Sequence, residues 1–117
     1  MRRSLLILCA LLLPLIASAC SGGGSSGGLQ IAASDYKFDP PNVTAKAGQA
    51  VQVTVRNSGG QLHDWTVQGL DRPFDVLASP GQTSNGTFTP SKAGTYKIIC
   101  AQPGHEQLGM VGQLIVQ

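Results

Sequence analysis

Val51-Gln52-Val53-Thr54-Val55-Arg56 is the stretch that decides the fold class, because apolar and polar side chains alternate along it without a break. Successive side chains of a β-strand point to opposite faces, so the three valines are expected to face a core and the polar residues to face water. Similar short segments lie on both sides, at 29–33, 43–46, 65–68, 84–89, 95–100 and 111–116. The sequence therefore predicts an all-β domain.

Turn-forming residues separate these segments. Asn57-Ser58-Gly59-Gly60, Ser79-Pro80-Gly81 and Pro103-Gly104 are three of them, and their glycines and prolines favour chain reversal. Only residues 72–77 offer a candidate turn of helix. Many short strands at this spacing predict an antiparallel β-sandwich over residues 29–117, about 90 residues, which is long enough to form a core of its own.

The first nineteen residues are typical of a secretory signal peptide. Arg2 and Arg3 precede an aliphatic run that Pro14 interrupts, and Ala17-Ser18-Ala19 provides a small-residue exit. The aliphatic run is too short for a membrane span. We therefore expect residues 1–19 to direct export and to take no part in the fold.

Cys20 directly follows this exit and opens a Gly/Ser-rich segment, residues 20–28. The arrangement resembles a bacterial lipobox, although Ala17 stands where the lipobox usually has Leu. A Gly/Ser segment forms a flexible tether, so we expect Cys20 to carry lipid and to hold the domain on the extracytoplasmic side of a bacterial cell membrane. The alternative is an ordinary cleavage site that leaves Cys20 as a free thiol or in a disulfide with Cys100.

The charge balance argues against two classes of partner. The chain carries a formal net charge of +2, and Arg2 and Arg3 supply two of its eight basic residues. The six that remain balance the six acidic residues. A domain without net charge gives no indication of binding nucleic acid or of a polybasic contact with a membrane.

Four side chains of the domain suit a soft metal ion: His63, Cys100, His105 and Met110. Three of them fall in one loop between two predicted strands. A thiolate and a thioether suit Cu(I), imidazoles serve both Cu(I) and Cu(II), and a His₂Cys plane with a distant Met is the site of a blue-copper electron carrier. The residues therefore predict one copper ion that passes single electrons.

The segments Cys100-Ala101-Gln102-Pro103-Gly104-His105 and His63-Asp64-Trp65 resemble the ligand segments of the cupredoxin family, which includes azurins, auracyanins and plastocyanins. The four residues between His105 and Met110 are similar to plastocyanin spacing. The resemblance implies a Greek-key β-sandwich of about seven to eight strands. It also implies that Met110 is the weak axial ligand beside the other three.

Two positions beside the ligands depart from the family pattern. Asp64 stands where the family usually has Asn, and Ala101 stands where it usually has Ser or Thr. In the family, the side chains at these two positions bridge the two ligand segments. We therefore expect the bridge to be absent. Asp64 and Leu62 flank His63 in sequence and are expected to lie next to the metal ligands. Residues in such positions tune the reduction potential of the metal.

The two aromatic residues nearest the ligands in sequence are interpreted as structural. Trp65 is expected in the core, because an aromatic side chain of this size dominates a small β core. Tyr96, two residues after Gly94, resembles a tyrosine corner, in which the hydroxyl bonds back to the upstream backbone.

An uncharged ring of residues is expected around the exposed edge of His105: Leu62, Pro103, Gly104 and Leu108. By the resemblance it forms a docking patch for redox proteins such as a cytochrome or a membrane oxidoreductase complex, because weak redox encounters use small patches near the metal. A tether and a single site fit a monomer.

Other functions are less well supported by the residues. A copper chaperone or scavenger uses the same ligand types, but in Met- or His-rich arrays, and the domain has one Met and two His. An oxidase or reductase usually needs further copper centres with extra histidines, so we expect no enzymatic activity from this domain. A metal-free structural sandwich leaves the Cys-His-Met loop unexplained.

Asp64→Asn is expected to raise the reduction potential, because an ionised carboxylate near the metal favours Cu(II) over Cu(I). Voltammetry of the copper-loaded protein and the variant measures this shift. An unchanged or lower potential in the variant contradicts the expectation.

Overall fold

The computed structural model describes residues 28–117, and residues 1–27 lie outside the described part. The signal peptide, the lipidated Cys20 and nearly all of the 20–28 tether therefore stay predictions. The described residues form nine β-strands and no helix. The strands are β1 (Leu29–Ser34), β2 (Lys37–Asp39), β3 (Asn42–Ala45), β4 (Val51–Asn57), β5 (His63–Val67), β6 (Phe74–Ala78), β7 (Thr83–Phe88), β8 (Gly94–Ile99) and β9 (Val111–Val116).

Within residues 28–117, nothing helical is long and apolar enough to span a membrane.

The strands form two sheets around one core. One sheet has the order β2-β1-β4-β7 and the other β3-β9-β8-β5-β6. The chain crosses between the sheets at β2–β3, β3–β4, β4–β5, β6–β7 and β7–β8, as in a Greek-key sandwich. The predicted all-β sandwich is confirmed.

Two strand pairs are parallel, so the prediction of an antiparallel sandwich is wrong for them. β1 pairs with β4, and β3 pairs with β9, both in parallel, while the other pairs are antiparallel. A parallel pair needs a crossover connection of about a dozen residues or more. The chain supplies it, because β2 and β3 intervene between β1 and β4.

Two of the nine strands, β2 and β6, were not predicted, and the sequence indicated about seven to eight strands. The turn of helix considered at 72–77 is wrong, because these residues enter β6, where Val76 and Ala78 are buried and the exposed Leu77 obscures the alternation. β2 has three residues and buries only Phe38, which is too short to show a period of two.

The core follows the predicted alternation along β4. Val53 and Val55 are completely buried, whereas Gln52 and Arg56 are exposed. The completely buried Trp65 lies against Phe74 and Phe88, with ring centroids 6.4 Å from each. Its interpretation as a core residue is confirmed.

Two further details fix how the strands pack. A Cβ atom at Gly86 on β7 would lie 2.9 Å from Phe74 Cζ and from Val76 Cγ2, so only glycine lets β7 approach β6 this closely. The Tyr96 hydroxyl donates to the carbonyl of Lys92 at 2.9 Å. This bond confirms the predicted tyrosine corner.

Trp65→Ala is expected to lower the free energy of unfolding by about 3–5 kcal/mol, because it removes buried apolar surface and leaves a cavity. Among residues 28–117 the indole nitrogen has no hydrogen-bond partner, so the expected loss comes from packing. Leu77→Ala, at a side chain that is 50% exposed, is the control and is expected to cost less than about 1 kcal/mol. Urea unfolding of the metal-free proteins measures both, and equal losses contradict the expectation.

Candidate metal centre

The four candidate ligands meet at one end of the sandwich. His63 opens β5, Cys100 directly follows β8, Met110 directly precedes β9, and His105 lies in the loop between β8 and β9. β8 lies between β5 and β9 and is antiparallel to both. The start of β5, the end of β8 and the start of β9 therefore share one edge, which brings the ligands together.

Three ligand atoms face one another in a closed triangle. His63 Nδ1 lies 3.2 Å from His105 Nδ1 and 3.9 Å from Cys100 Sγ, and His105 Nδ1 lies 3.4 Å from the same sulfur. All three residues are buried, and the most exposed of them, His105, is 5% exposed. Within residues 28–117, Cys100 forms no disulfide.

The triangle fits a trigonal metal ion. Metal–nitrogen bonds of about 2.0 Å and a metal–sulfur bond of about 2.3 Å separate trigonal ligand atoms by about 3.5–3.8 Å. The observed distances of 3.2, 3.4 and 3.9 Å lie close to these values. Two imidazole nitrogens and one thiolate are a ligand set that copper favours.

Met110 is fully buried, and its backbone contacts two of the other ligands. Its carbonyl accepts from the Cys100 amide at 3.1 Å, and its own amide donates to the His105 carbonyl at 3.0 Å. The His105 amide in turn donates to the Gln102 carbonyl at 3.1 Å. These bonds fix the backbone of the ligand loop.

Burial is the main reason why the pKa of the Cys100 thiol is raised above its usual value. The neighbouring carboxylate of Asp64 acts in the same direction by its charge. A thiol with a raised pKa keeps its proton at neutral pH, and metal binding has to release that proton. Metal affinity therefore rises with pH.

Asp64 bridges the two ligand segments, so the expectation that this bridge is absent is wrong. Its Oδ1 accepts from the Ala101 amide at 2.8 Å and from the Thr66 hydroxyl at 2.6 Å, and its Oδ2 accepts from the Gln102 side chain at 2.8 Å. A backbone amide donates whatever the side chain of residue 101, and a carboxylate has two oxygens to accept with. The Asp64 amide also donates to Cys100 Sγ at 3.5 Å.

Each imidazole has a hydrogen-bond partner at its outer nitrogen, Nε2, and neither partner was predicted from the sequence. Asp35 Oδ1 lies 2.8 Å from His63 Nε2, and Gln61 Oε1 lies 3.1 Å from His105 Nε2. Gln61 also donates to the Tyr36 hydroxyl at 2.6 Å. No spacing rule reveals Asp35, because it precedes His63 by 28 residues and reaches it only through the fold.

The ring of uncharged residues lies at the surface, and His105 is almost completely buried, with 5% of its surface exposed. Leu62 is 36% exposed and Leu108 60% exposed, and Pro103 and Gly104 are also exposed. Little of the expected exposed edge of His105 is accessible, because its outer nitrogen lies 3.1 Å from Gln61 Oε1 and Tyr36 packs edge-on against its ring. The centroids of the Tyr36 and His105 rings are 4.9 Å apart.

The fold and this site define a class of protein, a β-sandwich with a buried His–Cys–His–Met cluster at one end. The model of the cupredoxin-like domain matches residues 5–116, and the chain belongs to this family. The predicted resemblance is thereby confirmed, and the cluster is consistent with a single copper ion.

Known proteins similar to this chain come from different bacteria. Auracyanin-A of Chloroflexus aurantiacus is 30% identical over 87% of this chain and 89% of its own length. The copper-resistant cuproprotein CopI of Pseudomonas aeruginosa is 26% identical over 80% of this chain and 77% of its own. A solved structure of auracyanin A, a "blue" copper protein, aligns with a TM-score of 0.65 and 27% identity over 78% of this chain and all of that one.

Proposed function

We propose that this protein carries single electrons through one copper ion bound by His63, Cys100 and His105, with Met110 as a weak axial ligand. The observation that carries the proposal is the buried triangle of two imidazole nitrogens and one thiol sulfur. Its ligand types and its spacing match a trigonal blue-copper site. The similarity to a protein described as a blue copper protein supports it independently.

The protein's part in this function is to hold the ligands still. Copper bound by these residues would supply the one-electron chemistry, and a donor protein and an acceptor protein would exchange the electrons with it. His63 is fixed by β5, and the other three ligands by β8, β9 and the hydrogen bonds of the loop between them. A preorganised ligand set changes little between oxidation states, so an electron arrives or leaves with little movement of the protein.

Burial favours electron transfer over catalysis by this domain. Catalytic metal sites keep an open ligand position for a substrate. Here His63, Cys100 and Met110 are fully buried, and His105 is covered by Gln61 and Tyr36. An electron can cross such a cover, whereas a substrate cannot reach the ligands.

Copper storage or delivery is the alternative function, because one of the similar proteins is named a copper-resistant cuproprotein. Delivery requires ligands that a receiving protein can reach. The buried ligands disfavour rapid exchange. Transfer of copper to a chelator within seconds supports the alternative, and retention over hours supports the electron carrier.

The location that we propose is extracytoplasmic, with the domain held to a bacterial membrane by lipid on Cys20. The support is the sequence of residues 1–28, with its apolar run, its small-residue exit and its Gly/Ser segment. A donor or acceptor on the same membrane, such as a cytochrome or an oxidoreductase complex, then lies within reach of the tether. The carrier itself is proposed to act as a monomer.

We expect the copper-loaded protein to show an intense visible charge-transfer band between thiolate and copper and narrow copper hyperfine splitting in electron paramagnetic resonance. Cys100→Ser is expected to abolish both. Cys20→Ser is the matched control: it keeps the band and releases the protein from the membrane fraction of cells. A band that survives in Cys100→Ser contradicts the copper site, and membrane retention of Cys20→Ser contradicts the lipid anchor.

The docking patch is tested by electron self-exchange between two copies of the protein, which needs no knowledge of the partner. Leu108→Glu is expected to slow self-exchange by about tenfold or more, because like charges then face each other across the patch. Leu77→Glu adds the same charge at another exposed leucine, on β6, and is expected to leave the rate within about twofold. Line broadening in NMR spectra of partly oxidised samples measures the rate, and equal rates in the two variants contradict the patch.

A further inference from the structure

The turn between β1 and β2 reaches across to the metal centre. Asp35 occupies this turn, and its Oδ1 lies 2.8 Å from Nε2 of the fully buried His63. On the other side of the same ring, Nδ1 faces Cys100 Sγ and His105 Nδ1. The His63 ring therefore lies between one carboxylate and the candidate metal position.

The contact fixes which nitrogen of His63 carries the proton. A carboxylate only accepts hydrogen bonds, so Nε2 has to donate a hydrogen to Asp35. In the neutral ring, Nδ1 is then unprotonated and directs its lone pair toward Cys100 and His105. This tautomer is the one that metal binding at Nδ1 requires.

Asp35 is itself held in place by the backbone of the loop after β4. Its Oδ2 accepts from the Gly60 amide at 3.1 Å. The Asp35 carboxylate therefore lies one imidazole ring away from the candidate metal position.

The loop after β4 is shaped around this carboxylate. A Cβ atom at Gly59 would overlap Asp35 Oδ1 and lie 2.9 Å from His63 Nε2, so a larger residue there would displace the Asp35 carboxylate from its contact with His63. Asn57, which is 1% exposed, orders the loop: its Oδ1 accepts from the Gly59 amide at 2.9 Å, and its Nδ2 donates to the carbonyls of Gln61 and Ala78.

We propose that Asp35 is a positioning residue for the metal centre, which orients His63 through its outer nitrogen and, by its negative charge, strengthens metal binding and lowers the reduction potential. Carboxylate–histidine–metal arrangements raise the basicity of the imidazole ligand. A more basic ligand and a nearby negative charge both favour Cu(II) over Cu(I). This inference rests on the copper site proposed above.

Two variants separate orientation from charge. Asp35→Asn keeps an oxygen that accepts from His63 but removes the charge. It is expected to retain the visible band and to raise the ratio of Cu(I) to Cu(II) affinity by about tenfold, seen as a higher potential in voltammetry. Asp35→Ala removes the acceptor too and is expected to weaken Cu(II) binding by about 10- to 100-fold in competition titrations.

Asp75→Asn is the matched control, because it removes the same charge from an exposed position on β6. It is expected to change neither the potential nor the affinity. All the measurements use the full-length protein, and thermal unfolding of the metal-free variants shows whether the turn still folds.

The outcomes distinguish this inference from the function on which it rests. A wild-type protein without the thiolate charge-transfer band overturns the copper site, and the role of Asp35 falls with it. A wild-type protein with the band, beside an Asp35→Asn variant whose potential is unchanged or lower, overturns only the role of Asp35. The same holds if Asp75→Asn shifts the potential as much as Asp35→Asn does.

Discussion

The pairing of β5 with β8 is the constraint on which the metal centre depends. Only two residue pairs are in register, Thr66 with Ile99 and Val67 with Ile98. β8 ends at Ile99, and just beyond its end the Asp64 carboxylate accepts a hydrogen bond from the Ala101 amide. Because side chains alternate along a strand, a slip of one residue would turn His63 away from the sulfur. The short ladder and the carboxylate together hold the first ligand against the loop that carries the others.

This arrangement also explains how a sandwich end can bury so many polar groups. An unpartnered buried polar side chain costs about 1–3 kcal/mol. His63, Asp64, Asn57 and His105 are all buried, and each has hydrogen-bond partners in the fold. Both outer nitrogens of the imidazoles are bonded, one to Asp35 and the other to Gln61. The inner nitrogens and the thiol sulfur are left facing each other, which suits a metal ion better than water.

The surface over the site differs from what the sequence suggested. Leu62 and Leu108 lie exposed as expected, but Gln61 and Tyr36 cover His105. A docked protein would therefore meet an amide and a phenol above the imidazole. An electron that enters through this cover crosses one hydrogen bond or one ring contact before it reaches His105.

Local sequence was sufficient for most strands and for the ligands. The alternation at Val51–Arg56 predicted β4 because period two is a local property of the chain, and the three ligands of one loop were visible from their spacing. β2 was not predicted, because its three residues are too few to show a period of two. β6 was not predicted, because the exposed Leu77 obscures the alternation of buried and exposed side chains.

The bonds around the ligands could not be predicted in the same way. The sequence predicted no bridge between the ligand segments, because the Ala101 side chain cannot form a hydrogen bond. The hydrogen bond to Asp64 instead comes from the Ala101 backbone amide, which every residue except proline has. Asp35 reaches His63 across 28 residues, and that contact depends on the β1–β2 turn and on the space left by Gly59.

The sequence by itself determined the all-β class, the core strands and the four candidate ligands, because periodicity and ligand chemistry belong to short segments of the chain. Only the tertiary structure decided which partners orient those ligands and what covers them. Such contacts join the β1–β2 turn, the loop after β4 and the β8–β9 loop, which are distant in the chain and meet only when the two sheets pack.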